Sequence, residues 1–326
     1  MKVVIMSAVR HLSRRGFLGG TAVVGLGMAS ARILGPATHA SAAGRPISCW
    51  GDSLTMGVGA GGFAFSYPAV LSEIIGSEVY NGGRGGERSG AIAARQGGVL
   101  ARVAAEVTIP ASGYAVIHLA DEVFFRGPVP GKVMGVDGSL YFTGSGTAHR
   151  FTRTSAGAET VVPTNTAFHA TGAERMRGSD PIIWAGHNDD YLRERPGPSP
   201  SMTIEDNIAA MVAYNQSTGS GSNYLVLSLI NGRDGGVGSV YYDRAMIEVN
   251  GNLARTYGSQ YLDVHRYLVD QALGDVGLVP TPQDLIDIAE DIPPASLRAV
   301  PSDHLNVIGY DALARYIKNV YSGEAR

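Results

Sequence analysis

The chain lacks most of the features that would place it in a common functional class. Cys49 is its single cysteine, so no intrachain disulfide can form and the chain is not a disulfide scaffold. Cys49 lies in an apolar run and reads as buried packing. Net charge is only -3 over 326 residues. No basic stripe or charge run occurs, which argues against a nucleic acid partner. No apolar stretch is long enough to cross a bilayer comfortably, so no stable membrane insertion is expected. The Gly-x-Ser-x-Gly elbow does not occur. A P-loop is absent too, since Gly131-Lys132 lacks the upstream glycine and the following Ser or Thr. His118, His149, His169 and His265 have no metal-type spacing, and a zinc site needs three or four convergent ligands. No metal and no cofactor is expected.

Glycine, by contrast, is abundant at 44 residues, which suits many tight turns. The N-terminal segment reads as a targeting signal. Ser13-Arg14-Arg15-Gly16-Phe17-Leu18 has the twin-arginine pattern, a weakly apolar stretch follows to Leu34, and Ala40-Ser41-Ala42 is a small-x-small cleavage site. Residues 1–42 are therefore expected to be a twin-arginine signal peptide. The twin-arginine translocation machinery would be a partner during export, and the location would be periplasmic or secreted.

Beyond the signal, strand-like and helix-like segments alternate. Residues 46–50 read as the first strand, and Gly57 to Gly62 forms a glycine-rich loop before a helix near 67–75. A short strand at 78–80 precedes a small-residue helix at about 89–107 and a third strand at 114–119. From 121 to 178 helical period is lost, and Val, Thr and Phe alternate with Gly, Ser and Pro. This stretch reads as a β-rich insertion, because sixty structureless residues are improbable inside a compact domain. The alternation resumes with strands at 182–185, 224–230 and 261–264 and a final helix at 307–321. Helical crossovers between strands imply a mostly parallel, three-layer α/β/α sheet in a discontinuous domain, 46–120 and 179–322.

Gly51-Asp52-Ser53-Leu54-Thr55 follows the first strand, where open α/β sheets form a crevice. Ser302-Asp303-His304-Leu305-Asn306 precedes the last helix. A serine hydroxyl needs a base to become a nucleophile, and histidine has a pKa near the working pH. Two further blocks lie between them in order: Asn81 through Ser89, and Gly186-His187-Asn188-Asp189. Together the four blocks resemble the SGNH (GDSL) hydrolase family, and the resemblance covers about 46–320 apart from the insertion. It implies a flavodoxin-like fold, Ser53 as nucleophile and His304 as base. It also implies an oxyanion hole from the N–H groups of Ser53 and Gly86 and the side chain of Asn188. Such donors are worth about 3 kcal/mol each. His187 is a candidate substrate contact, and Asp52 a residue that holds the turn.

One departure from the family stands out. Its aspartate three residues before the histidine is replaced here by Pro301. Asp303 could orient the imidazole if the loop bends, although neighbours in an extended segment point apart. A backbone carbonyl near Pro301 or a remote carboxylate could do so instead. The expected activity is an exported serine esterase of Ser-His(-Asp) type, acting on an acyl (acetyl) group of a small-molecule or polysaccharide ester. The alternatives are a short-chain lipase or arylesterase, for which Phe63, Phe65, Phe124 and Phe125 could supply an apolar lining although they read rather as core, or a non-catalytic glycan-binding protein. Gly57-Val58-Gly59-Ala60-Gly61-Gly62 formally fits a dinucleotide-binding loop, but it sits six residues past the strand and no acid closes the second strand.

Overall fold

The first strand is buried along its whole length because both of its faces are covered. The computed structural model describes residues 45–120, 123–190, 203–219, 223–232 and 236–322. The expected signal peptide, 1–42, lies outside the described residues. The chain enters β1 (Ile47–Gly51), passes α1 (Ser53–Met56) and α2 (Tyr67–Ile75), and reaches β2 (Val79–Gly83). Helix α3 (Ser89–Gln96) leads into β3 (Ala101–Arg102), β4 (Val107–Ile109), β5 (Tyr114–His118), β6 (Val129–Val133), β7 (Val136–Phe142), β8 (Ala148–Arg153), β9 (Thr160–Val162) and β10 (Ala167–Ala170). Then come β11 (Asp180–Trp184), α4 (Ile204–Ser217) and β12 (Leu225–Leu227). A π-helical stretch, Tyr242–Val249, runs directly into α5 (Asn250–Tyr257) and on to β13 (Tyr261–Leu262). Helices α6 (Val264–Asp270), α7 (Ala272–Asp275), α8 (Pro282–Ala289) and α9 (Val307–Ser322) follow.

Five strands form the central sheet in the order β13-β12-β11-β1-β2, and every pair is parallel. Alternate residues along each strand face opposite layers. Cys49, Ile182, Trp184, Leu225 and Leu227 pack with residues of α2, α6 and α9. Trp50, Ile183, Ala185 and Val226 pack with residues of α3, α4 and α5. Burial on both faces explains why these strands read as continuous apolar runs. From β1 the chain moves one way to β2 and later the other way through β11, β12 and β13. The switch point therefore lies between β1 and β11, and a crevice opens beyond their carboxyl ends.

The small-residue run after Ser89 predicts a helix to about 107, but α3 stops at Gln96. Gly97 takes a φ of 111°, and a Cβ there would lie 2.7 Å from Tyr214 Cζ. The segment at 114–119 is likewise not a strand of the parallel sheet. It pairs antiparallel with β8, so the β-rich unit begins at Ala101 rather than at 121. Its burial alternates, with Tyr114, Val116 and His118 outward and Ala115 and Ile117 inward. That is the pattern of a sheet covered on one face.

The unit is a closed barrel. Six strands run in the order β3-β10-β6-β7-β8-β5. An antiparallel bridge between Val103 and Leu119 joins the two ends, with Ala104 N–H on His118 O at 2.7 Å and Ala120 N–H on Arg102 O at 2.8 Å. Closure removes the exposed edges. Its core of Ile117, Phe125, Leu140, Phe151 and Phe168 merges with Ala91 and Ala94 of α3.

Candidate active site

Ser53 opens α1 immediately beyond β1, and the turn that places it is built by Asp52. The Asp52 carboxylate is fully buried. Its Oδ1 accepts from Leu54 N at 3.0 Å, capping α1. Its Oδ2 lies 3.3 Å from His187 Nδ1. Ser53 Oγ is 2.8 Å from His304 Nε2, so residues 251 positions apart meet within hydrogen-bond reach. That contact is the geometry of a nucleophile and its general base.

Asp303 does not hold the other ring nitrogen. His304 Nδ1 lies 2.6 Å from Ser302 Oγ. The same hydroxyl oxygen accepts from His304 N at 3.2 Å. Asp303 instead places its carboxylate 3.6 Å from Arg298 Nη1 and against Gly232. The cause is local. Ser302 N donates to Ala299 O and Ala299 N to His304 O, which folds 299–304 into a tight turn. In such a turn a serine hydroxyl reaches back to the backbone two residues on. A serine two positions before the histidine was the available signal for this contact.

Proton placement follows from the bonds. For Ser53 Oγ to donate, Nε2 must be bare and Nδ1 must carry the hydrogen. Ser302 Oγ then accepts twice, from Nδ1–H and from the backbone N–H, which uses both of its lone pairs. Burial lowers the pKa of His304 below the ordinary 6.5, outweighing the nearby charges of Asp52 and Asp303, which raise it. The ring is therefore a neutral base at neutral pH.

The glycine-rich loop serves this histidine. Gly59 has a φ of 96°, and a Cβ there would lie 2.5 Å from Leu305 O and 2.8 Å from His304 Cβ. Tyr310 Oη also donates to Val58 O at 2.9 Å. The loop is thus a backrest for the His304 turn, with no role in holding a dinucleotide.

The other two blocks meet beside Ser53. Gly85 approaches the nucleophile, since a Cβ on it would be 3.8 Å from Ser53 Cβ. Gly86 follows with a φ of 74°. Asn188 Nδ2 donates to Glu87 O at 3.0 Å, which leaves its second amide hydrogen available. Among the described residues, neither Ser53 N nor Gly86 N has an acceptor. Asp189 clamps the loops together: its Oδ2 accepts from Ser89 N at 2.8 Å and its Oδ1 from Ser89 Oγ at 2.7 Å. Burial pushes the Asp189 carboxyl up to about 6, against the lowering effect of the Ser89 bonds.

Beneath this loop lies an ion pair with no obvious signature in the sequence. Glu87 is fully buried and bonds Arg95 Nε at 2.9 Å. Arg95 also reaches Gly51 O at 3.4 Å and lies 5.5 Å from the Trp50 ring centroid. Glu87 Oε1 further accepts from Arg126 N at 3.3 Å. The Gly85–Glu87 loop is thereby tied to the end of β1.

A cavity of about 550 Å³ opens onto Ser53 and His304, lined also by Leu54, Asn188, Ile230 and Tyr241. His187 lines it, but Nδ1 serves Asp52 and Nε2 accepts from Ile230 N at 3.1 Å. With both nitrogens engaged, His187 is a strut of the wall and not a hydrogen-bond donor to a substrate. Phe125 is buried in the barrel core, and Phe124 packs edge-on against Phe142 at 4.9 Å. Phe63 and Phe65 are 51% and 50% exposed beside the glycine-rich loop. Cys49 is buried, and desolvation pushes its thiol up to about 12, so it is inert.

No family model and no curated protein matches the chain. Solved structures resemble it at low identity. A lipolytic protein of the G-D-S-L family from Desulfitobacterium hafniense is 15% identical with a TM-score of 0.46, over 85% of this chain and 99% of that one. AlinE4, an SGNH-hydrolase family esterase, is 17% identical with a TM-score of 0.35, over 79% of this chain and 98% of that one.

Proposed function

We propose that this protein is an exported serine esterase of SGNH type that removes acyl groups, acetyl foremost, from carbohydrate. The observation that carries the reading is the 2.8 Å contact between Ser53 Oγ and His304 Nε2, both of which line the cavity. Ser53 Oγ attacks the ester carbonyl carbon while its proton passes to His304 Nε2. The oxyanion that forms is met by Ser53 N–H, Gly86 N–H and the free amide hydrogen of Asn188. Collapse breaks the bond to the alcohol, whose oxygen takes the proton from Nε2. Water then enters, gives a proton to Nε2 and adds to the acyl-enzyme. Collapse of the second intermediate frees the acid and returns the proton to Ser53 Oγ. Throughout, Nδ1–H stays on Ser302 Oγ, so the imidazolium is steadied by a hydroxyl in contact and by Asp52 and Asp303 at longer range.

Turnover of nitrophenyl acetate and acetyl-xylan by the purified protein, abolished in Ser53→Ala, is the expected result. Unchanged turnover in Ser53→Ala would overthrow the mechanism. No turnover of any ester would favour a non-catalytic glycan-binding protein. A lipase reading draws on the exposed Phe63 and Phe65. It would be preferred if the rate on nitrophenyl esters peaked at chains of about eight carbons or more. Export rests on the Arg14-Arg15 pair. Arg14→Lys with Arg15→Lys should retain the protein in the cytoplasm, as read by cell fractionation.

A further inference from the structure

The outer wall of the barrel carries an open groove of about 580 Å³, lined by Arg126, Pro128, Tyr141, Phe142, Thr143 and Arg150. Strand register builds its floor. Tyr141 of β7 stands directly opposite Arg150 of β8, and Val116 of β5 stands opposite Arg150 on its other side. The guanidinium of Arg150 lies 5.2 Å from the Tyr141 ring centroid and 5.3 Å from that of Tyr114. It is held between two rings, and among the described residues no carboxylate pairs with it. Among the described residues the groove lining contains no Asp or Glu. Its other cation, Arg126, donates from Nε to Gly86 O at 3.2 Å. The aromatic row also continues toward the catalytic loop. Phe142 meets Phe124 at 4.9 Å, and Arg88, the residue before α3, lies 5.8 Å from the Phe124 centroid. An aromatic and guanidinium track thus runs from the barrel wall to the loop beside Ser53.

Each component of this track selects for a chemical group. Ring faces pack against the C–H faces of sugar rings. Guanidinium forks pair with carboxylates in two-point geometry, and a ring-held fork loses little entropy in doing so. Single-stranded nucleic acid also binds stacking rings and cations. Among the described residues the groove offers two arginines, one of them donating to Gly86 O, fewer cations than a channel that tracks a phosphate backbone uses, which favours a glycan. We infer that the groove binds uronate residues of an acidic polysaccharide, and so presents ester groups of that polymer to Ser53. The second half of this inference rests on the esterase reading; the first does not.

The test uses the full mature chain carrying Ser53→Ala, so that binding is read without turnover. Affinity electrophoresis is run in gels containing polygalacturonate or alginate, unsubstituted neutral xylan, or poly-dT. The expected result is retardation by the polyuronates alone, weakened about tenfold by Arg150→Gln and by Tyr141→Ala. In the chain with Ser53 intact, both substitutions should leave nitrophenyl acetate hydrolysis unchanged. Thermal melts check that both variants fold. Equal retardation by neutral xylan or by poly-dT, no retardation by either polyuronate, or retardation indifferent to both substitutions, would overturn the inference. Binding without any esterase activity would keep the groove and remove the esterase reading. Esterase activity without polyuronate binding would do the reverse.

Discussion

Replacing Ser302 by alanine isolates the bond that orients the base. Ser302 Oγ sits 2.6 Å from His304 Nδ1. In the resting site this bond joins two neutral groups and contributes about 1 kcal/mol. Once Nε2 takes the proton of Ser53, the same bond joins an imidazolium to a hydroxyl and is worth roughly 1.5–3 kcal/mol. Only the difference, about 0.5–2 kcal/mol, lowers the barrier. A second loss adds to it. Without an acceptor at Nδ1 the ring is no longer held in the tautomer with Nε2 bare, and the other tautomer cannot accept from Ser53. Together the two effects predict a fall in kcat of roughly 10- to 100-fold in Ser302→Ala. KM should hold, because Ser302 does not line the cavity. Losing a carboxylate in this place can cost about 10⁴-fold; the smaller figure follows from the uncharged partner. Steady-state kinetics on nitrophenyl acetate give both constants. A fall in kcat under about threefold, or a rise in KM at constant kcat, would refute the assignment. Ser302→Thr keeps the hydroxyl and should keep most of the rate. Ser302→Asp sets a carboxylate against the ring, raises the His304 pKa and should move the acid limb of kcat/KM to higher pH.

Other sites carry sharper structural contrasts. Gly59→Ala combines a φ of 96° with a Cβ only 2.8 Å from His304 Cβ. It should cut kcat by at least about tenfold with the far-UV circular dichroism spectrum retained. Gly61→Ala, with a φ of 91° but nothing nearer than 3.9 Å, should cost only about 1–2 kcal/mol of stability in urea melts and leave activity in place. Arg95→Met removes the nearer cation of the buried Glu87 carboxylate, at 2.9 Å, and leaves it Arg84 at 3.7 Å and the Arg126 N–H. A loss of about 1.5–3 kcal/mol is expected, and one below about 0.5 kcal/mol would contradict it. Burial lowers the His304 pKa below 6.5, and the base must be neutral to act. The acid limb of kcat/KM should therefore fall below that value, with activity lost only as pH drops through it; a limb above neutrality would show that Asp52 and Asp303 outweigh burial.

Much of the architecture was legible from local pattern. Apolar runs of four to six residues separated by helical segments identified the parallel sheet, since a strand buried on both faces is mostly apolar on both. Gly51-Asp52-Ser53 and the segment around His304 were recognisable because, with the two blocks between them in order, they resemble the SGNH pattern, and a serine hydroxyl needs a base such as histidine. The barrel boundary was not legible. Outward Tyr114 and Val116 are as apolar as inward residues, so β5 reads like a central strand until its antiparallel partner β8 is seen. His187 could not be judged either, because its two partners, Asp52 and Ile230 N, are 135 and 43 residues away.

By itself, then, the sequence determined a mostly parallel sheet with helical crossovers and singled out Ser53 and His304. The first follows from periodicity, the second from the four blocks that resemble the SGNH pattern; the order of the strands came only with the structure. Only the tertiary structure decided what stands behind the histidine. The turn at 299–304 brings Ser302 Oγ onto Nδ1 and sends Asp303 to Arg298. Side-chain direction in a turn is set by backbone bonds that residue identity does not encode, and a hydroxyl two residues away can occupy the place expected for a carboxylate.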